Sequence, residues 1–467
     1  MNTRTLTLII LAALIVRLAL LAGIWNDGVG GPRGGQPRYL MPDSEGYIKL
    51  AASLADSARF AMDDKPEIFR TPGYSLLLTF GAPFGQSWWR AVIVLQILLD
   101  VATVYLAFLL GWMMVGQRAG LWAAALQAFS PLAIAASNRI LSDTAFAFLL
   151  AWTLVLLVFH LKSRRLWPLI AAAVFLGAAC YVRPVGLAMA AVCAAVLLAD
   201  GLVQGRKRRG AEDAAETRDR QTVRRARRAL GPAAAFGGIV ILCVAPWVVR
   251  NGLAAQYWGF SSFAGDGAYF FAVPELISAT EGVPAATARE MMKREDQRDN
   301  EGLSPGAAAR ARRSRVWQAI GEHPWLYAKI HLKGCWGFFL PGATDLLEMA
   351  GLTAGNAGTV DVLHREGLAA AVKHYFDDRQ WAMLLAVPLA AVPMVLYAGV
   401  LLCIVRRLSW RMPAEVWLLA AIVIVAMLLP GPFGLPRYRL PVLPVLGVAA
   451  GAGLTSRKKP ASPPAKA

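Results

Sequence analysis

Asp43 and Glu45 stand a short way beyond the first apolar stretch, in Met41-Pro42-Asp43-Ser44-Glu45-Gly46-Tyr47. A carboxylate held at a membrane surface can act as general base toward an incoming hydroxyl, help typically worth about 10²- to 10⁴-fold. Five arginines fall near the ends of other apolar stretches: Arg70, Arg183, Arg250, Arg437 and Arg439. The guanidinium fork matches phosphate oxygens, and its hydrogen bonds to them are charge-assisted. When a sugar–phosphate bond breaks, negative charge gathers on the departing phosphate, and fixed cations there lower the barrier. The sugar centre meanwhile passes through an oxocarbenium-like state. An acid acting as base, with arginines around a phosphate, is the chemistry these residue types offer.

The elements that must position them lie in a membrane. Hydrophobic residues make up 57% of the 467-residue chain, against about 45–50% in an ordinary soluble domain. Apolar runs repeatedly approach the roughly 20 residues of a bilayer crossing. The sequence predicts an all-α polytopic membrane protein with about ten transmembrane helices, eleven or twelve being the upper range. The spans are drawn at 5–25, 91–115, 120–137, 140–160, 166–182, 185–200, 231–249, 380–404, 413–430 and 439–454. Pro168 to Leu198 is too long for one crossing at about 1.5 Å per residue, and Tyr181-Val182-Arg183-Pro184 suits the tip of a hairpin. Residues 71–85 are apolar enough to span but are read as an interfacial or re-entrant helix.

The net charge of +18 is placed by topology and calls for no nucleic acid. Lys and Arg crowd the loop 201–229, Arg406/Arg407 and the tail, which the positive-inside rule puts in the cytoplasm with both termini. The same drawing sends loops 26–90 and 251–379 outside, with stretches such as Val316–Leu340 lying as helices on the membrane. Residues 1–455 form one transmembrane domain without internal repeats, and 456–467 are expected to be a disordered tail. The five cysteines and five histidines lack ligand or disulfide spacing, so no metal and no cofactor are expected.

Asp43, Arg70, the Asn138-Arg139 and Asp143 turn, Arg183, Arg250-Asn251 and Arg437-Tyr438-Arg439 thus meet one surface. Each also has a plainer reading. Arginines at span ends snorkel to headgroups, Trp247, Trp325 and Tyr438 suit interfacial anchors, and Asp43 or Asp143 can cap a helix. Arg17 and Asp100, which fall inside apolar spans, can simply join helices.

In order and spacing, the chain resembles the GT-C glycosyltransferases. Its likeness is to bacterial relatives of the dolichyl-phosphate-mannose protein mannosyltransferases and of the lipid A aminoarabinose transferase. The matching pieces are Asp43-Ser44-Glu45-Gly46-Tyr47, Arg70-Thr71-Pro72-Gly73-Tyr74, Ser130-Pro131, Ile140-Leu141-Ser142-Asp143, Tyr181-Val182-Arg183-Pro184, Pro246-Trp247, Arg250-Asn251, His323-Pro324 and Arg437-Tyr438-Arg439-Leu440-Pro441. The resemblance implies a membrane enzyme of the mannosyltransferase-like, hexosyltransferase kind that takes a sugar from a polyprenyl phosphate and inverts the anomeric centre. It implies Asp43 as the catalytic acid of the first outer loop. It maps the outer arginines to Arg70, Arg183, Arg250, Arg437 and Arg439, with Glu45, Tyr47, Tyr74, Asp143, Asn251 and Tyr438 as supporting groups. Many relatives carry adjacent Asp-Glu, whereas here Ser44 intervenes, so Glu45 is not paired with Asp43.

The expected activity is sugar transfer to a hydroxyl of an envelope glycan, lipid or protein, outside a bacterial inner membrane. The alternative is a transporter or flippase of lipid-linked sugars, which would carry polar residues deep in several spans and repeated halves. Only Arg17 and Asp100 are deep. A non-catalytic scaffold would leave the arrangement of Asp43 and the arginines unexplained.

Overall fold

Each of the ten apolar stretches becomes a helix, because backbone in hydrocarbon must satisfy its own hydrogen bonds. The computed structural model describes residues 3–27, 37–207, 218–353, 362, 366–376, 380–407, 409 and 412–455. The expected tail 456–467 and residues 208–217 of the basic loop lie outside the described residues. The first half comprises α1 (Thr3–Gly23), α2 (Pro42–Ser57), α3 (Pro72–Thr79), α4 (Trp88–Met114), α5 (Gln117–Ala128), α6 (Pro131–Ser137), α7 (Asp143–Ser163), α8 (Leu166–Val182), α9 (Gly186–Lys207) and α10 (Arg218–Ala255). Then come α11 (Phe263–Gly267), α12 (Val273–Glu281), α13 (Ala285–Asp299), α14 (Pro305–Glu322), α15 (Pro324–Cys335), α16 (Thr344–Met349) and α17 (Leu368–Phe376). The chain closes with α18 (Met383–Arg407), α19 (Ala414–Leu428) and α20 (Leu443–Leu454), the last entered through a 3₁₀ turn at Pro436–Val442.

Among the described residues, six helical segments are long and apolar enough to cross a bilayer: Thr3–Gly23, Ala82–Met114, Asp143–Ser163, Gly186–Gln204, Leu230–Ala255 and Met383–Arg407. A seventh forms if α5 and α6, bent by 55° at their break, act as one span; α8 and α19 are apolar but shorter. The protein is an all-α polytopic membrane protein. At the expected hairpin tip, Arg183 is extended (φ −144°, ψ 129°), as a residue before proline must be.

Three local features add detail. The described ends of the 201–229 loop are helical, in α9 and α10. Val316–Leu340 is not continuous, since Pro324 removes a donor and starts α15 afresh. Between α2 and α3 the chain forms a short antiparallel hairpin, β1 (Ala61–Met62) with β2 (Lys65–Pro66). Asp63 and Asp64 turn it with φ of 50° and 60°, the left-handed pair of a type I′ turn.

Small residues let the spans touch. A Cβ on Gly111 of α4 would stand 2.8 Å from the Gly120 Cα of α5, and one on Gly451 of α20 only 2.5 Å from the Ala119 carbonyl oxygen. The fully buried Arg17 of α1 braces the α5–α6 break. Its Nε donates to Asp100 Oδ2 at 2.5 Å, and its Nη1 to the carbonyls of Ala13 (3.0 Å) and Ala128 (2.8 Å). Gln127 Nε2 reaches Asp100 Oδ1 at 3.0 Å. The last carbonyls of a helix lack intrahelical partners, and Arg17 supplies one where α5 ends.

Asp100→Leu strands the Arg17 cation and is expected to cost about 3–5 kcal/mol, while Arg17→Leu/Asp100→Leu recovers part of that loss. Thermal unfolding in detergent orders the variants. A double variant no better than the single would show that Arg17 serves the break rather than the pair.

Candidate active site

Pro42 opens α2, where its fixed φ suits the first helical turn. Ser44 then turns inward and is fully buried. Its Oγ accepts the Met41 N–H at 2.9 Å, the reciprocal half of a capping box, and donates to the Ile140 carbonyl at 2.7 Å. The start of α2 is thereby pinned to the turn between α6 and α7. With about 100° between successive helical residues, Asp43 is left at the side and Glu45 outside. Glu45 pairs with Lys49 at 2.8 Å, both side chains more than half exposed. Ser44, the residue that separates the two acids in sequence, occupies the anchoring position.

Asp43 meets Arg437, whose Nη1 donates to Asp43 Oδ2 at 2.9 Å. Arg183 pairs with Asp143 at the head of α7. Both guanidiniums lie over the Tyr438 ring, Arg183 at 5.8 Å and Arg437 at 5.4 Å from its centroid. These arginines lie outside the spans, in the turn after α8 and the 3₁₀ turn before α20. Burial works against the Arg437 charge, but Asp143, Tyr438 and Asp43 outweigh it and raise its pKa above the ordinary arginine value. At Arg183 burial is again the largest effect and lowers the pKa, but Asp143 together with the Tyr47 and Tyr438 hydroxyls raises it above the ordinary value. Tyr47 is kept a neutral phenol chiefly by burial, and its hydroxyl lies 3.2 Å from Ser142 Oγ.

Arg70 differs from these. Its guanidinium sits 5.3 Å from the Tyr47 ring centroid and 5.4 Å from that of Phe69. A Cβ on Gly46 would come within 2.5 Å of Arg70 Cζ, so only glycine lets the fork lie there. Among the described residues no carboxylate pairs with it, in contrast to Arg183 and Arg437.

The other expected phosphate ligands are occupied by backbone. Arg250 donates to the carbonyls of Glu67 (2.7 Å) and Phe60, clamping the hairpin against α10. Asn251 Nδ2 holds the Gly259 and Phe260 carbonyls at 3.0 and 3.1 Å. Arg439, 2% exposed, donates to the carbonyls of Phe338 (2.6 Å), Leu340 (2.9 Å) and Pro341 (3.1 Å). Tyr74 is buried and donates to Gln96 Oε1 at 2.8 Å.

Sequence reasoning gave no role to two residues that build this region, Ser44 and Gln96, and placed Arg139 at this surface without its partners. Gln96 carries the Tyr74 contact on to the Arg139 carbonyl at 2.8 Å. Arg139 pairs with Asp345 at 3.0 Å and Glu348 at 3.4 Å, tying α16 to the turn that holds Ser44. A lone glutamine in an apolar span was the available signal. Among the described residues no three His, Cys, Asp or Glu side chains converge as a metal-ligand set. A cleft of about 790 Å³ lies on the outer side of Glu67–Phe69, walled opposite by residues 294–312.

The sequence matches the family described as dolichyl-phosphate-mannose-protein mannosyltransferase over residues 64–209. That segment holds Arg70, Tyr74, Asp143 and Arg183 but stops short of Asp43 and Arg437. The archaeal oligosaccharyltransferase AglB from Archaeoglobus fulgidus, solved with an inhibitory peptide and a dolichol-phosphate, superposes with a TM-score of 0.50 at 15% identity. The match covers 96% of this chain and 50% of AglB, so the chain spans about half the length of that relative. The chain resembles the GT-C glycosyltransferases. ArnT from Cupriavidus metallidurans bound to undecaprenyl phosphate also aligns, with a TM-score of 0.41, 16% identity, and 96% and 78% of the two chains covered. No curated protein matches.

Ser44→Ala removes both anchoring hydrogen bonds of α2 and leaves a buried carbonyl and N–H unpaired, an expected loss of about 1–3 kcal/mol. Glu45→Ala should leave the unfolding temperature unchanged. Equal unfolding temperatures for the two variants would show that Ser44 does not pin α2.

Proposed function

We propose that the chain is a glycosyltransferase that moves a sugar from a polyprenyl-phosphate donor, undecaprenyl or decaprenyl, to a hydroxyl of a cell-envelope acceptor. The acceptor is a glycan, lipid or protein. The reaction takes place at the extracytoplasmic face of a bacterial inner membrane and inverts the anomeric centre. The observation that carries this reading is the contact of the Asp43 carboxylate with Arg437 at 2.9 Å, beside an Arg70 that faces no carboxylate. The family match over residues 64–209 and the dolichol-phosphate named with AglB support a lipid-phosphate donor. The sidedness rests on the cytoplasmic bias of Lys and Arg.

The acceptor hydroxyl gives its proton to Asp43 as its oxygen attacks the sugar C1. The bond from C1 to the phosphate oxygen breaks, and the departing polyprenyl phosphate gains a second negative charge. Arg70 meets that charge directly. Arg437 can pass from Asp43 to the incoming phosphate, which releases the carboxylate to act as base; such hydrogen bonds to a growing anion are strongest when water is excluded. Arg183 and Asp143 hold Tyr438, and with it Arg437, in place. Arg250, Asn251 and Arg439 act as positioning residues through the carbonyls they hold. Glu45 faces solvent and takes no part. A transporter would need charged groups in the spans available to its cargo, whereas Arg17 and Asp100 are engaged with each other.

The test supplies radiolabelled polyprenyl-phosphate sugars and a crude envelope acceptor to membranes lacking the endogenous protein, at matched expression. Asp43→Asn is expected to lower transfer about 10²- to 10⁴-fold, and Glu45→Gln to leave it intact. Arg70→Ala should lower it while Arg70→Lys restores part. Transfer by Asp43→Asn equal to that of the natural chain sinks the base assignment, and movement of lipid-linked sugar across the membrane without transfer selects the transporter.

A further inference from the structure

The cleft outside Glu67–Phe69 has no role in the chemistry above, yet one turn of chain forms both its floor and the Arg70 side of the site. Glu67 Oε1 accepts the backbone N–H of Phe69 at 2.5 Å and of Arg70 at 2.9 Å. Across the turn, Ser262 N–H donates to the Ile68 carbonyl at 2.9 Å and Ser261 Oγ to that of Phe69 at 2.6 Å. A ligand seated on Phe69 therefore has a fixed relation to Arg70.

The wall opposite is built around Arg312. Its Nε and Nη2 grip the two oxygens of Asp296 at 2.7 and 2.8 Å, and its Nη1 stands 3.3 Å from Asp266 Oδ1. Asp266 is only 4% exposed. Its Oδ2 takes the Ser262 hydroxyl at 2.5 Å, and its enclosed Oδ1 faces the Arg312 guanidinium, so Asp266 belongs to the cleft wall. Burial also raises the Asp266 pKa.

Acidic and basic residues line the cleft in equal number, four of each, so it offers no net field to select an anion or a cation. Gln297 and Asn300 add amides, which donate and accept side by side. A hydroxyl also does both. Phe69 supplies an apolar face. A volume of about 790 Å³ falls in the range of ligand sites, about 300–1,000 Å³, but a site for a hydrocarbon chain would be mostly apolar.

We propose that this cleft binds the acceptor, and that the acceptor is a neutral polyhydroxylated chain, a glycan rather than a peptide or a lipid tail. The proposal rests on the glycosyltransferase reading for the word acceptor, but the binding itself does not. Hydroxyls of the chain meet the amides of Gln297 and Asn300 along the Asp266 wall, and one of its sugar rings packs on Phe69.

The test uses the full chain in lipid nanodiscs with manno-hexaose, malto-hexaose and a serine/threonine octapeptide as probes. At least one hexasaccharide is expected to bind and to slow hydrogen exchange in residues 262–268 and 294–303. Asp266→Asn and Gln297→Ala should each weaken it about tenfold, the effect of one lost hydrogen bond, while Glu45→Gln, at an exposed side chain outside the cleft, binds as the natural chain does. Gln297 is exposed, so its variant stays informative if Asp266→Asn misfolds. Absence of hexasaccharide binding, binding indifferent to both substitutions, or protection by the peptide alone overturns the assignment without touching the Asp43 transfer assay. Hexasaccharide binding here together with undiminished transfer by Asp43→Asn would instead leave the cleft standing and remove the base.

Discussion

A helix cannot simply stop inside hydrocarbon, because its last carbonyls would face no donor. The break between α5 and α6 meets that constraint with a charged residue from another span, Arg17, whose own charge is answered by Asp100. The arrangement explains why two ionisable side chains persist in the interior of an apolar bundle. It also sets everything downstream. The direction of α6 decides where the Asn138–Asp143 turn emerges, and Ile140 in that turn receives Ser44 and so fixes the start of α2.

The end of the bundle built on that turn is organised by charge neutralisation. Asp43 with Arg437, and Asp143 with Arg183, alternate around the Tyr438 ring. Desolvated ions of opposite sign are tolerable together where either alone would be costly. Against this balanced background Arg70 is a cation held by aromatic faces and a glycine rather than by an acid. Among the described residues, Arg70 thus stands beside these two ion pairs without a carboxylate of its own.

Much of this was legible in the residues. Apolar length announced the spans, and the Pro184 restriction announced the turn that carries Arg183. The five arginines, by contrast, looked alike. What separates Arg250 and Arg439 from Arg70 is whether distant carbonyls, such as that of Phe338 101 residues before Arg439, come within reach. Backbone partners leave no mark in side-chain pattern. Ser44 was read as an interruption of an acidic pair, although burial makes it the anchor. The hairpin at residues 61–66 is too short for an alternating signature, and only Asp63-Asp64 hinted at its turn.

The contact between Asp43 and Arg437 joins positions 394 residues apart. Membrane proteins enter the bilayer from their N-terminus as they are synthesised. Asp43 is delivered early in that process, and its partner arrives only with the final span. Through nearly the whole of that process Asp43 lacks its counter-ion, and the pair closes only when the turn that carries Arg437 arrives. The last docking step, rather than the folding of any local element, completes the charge balance at this end of the bundle.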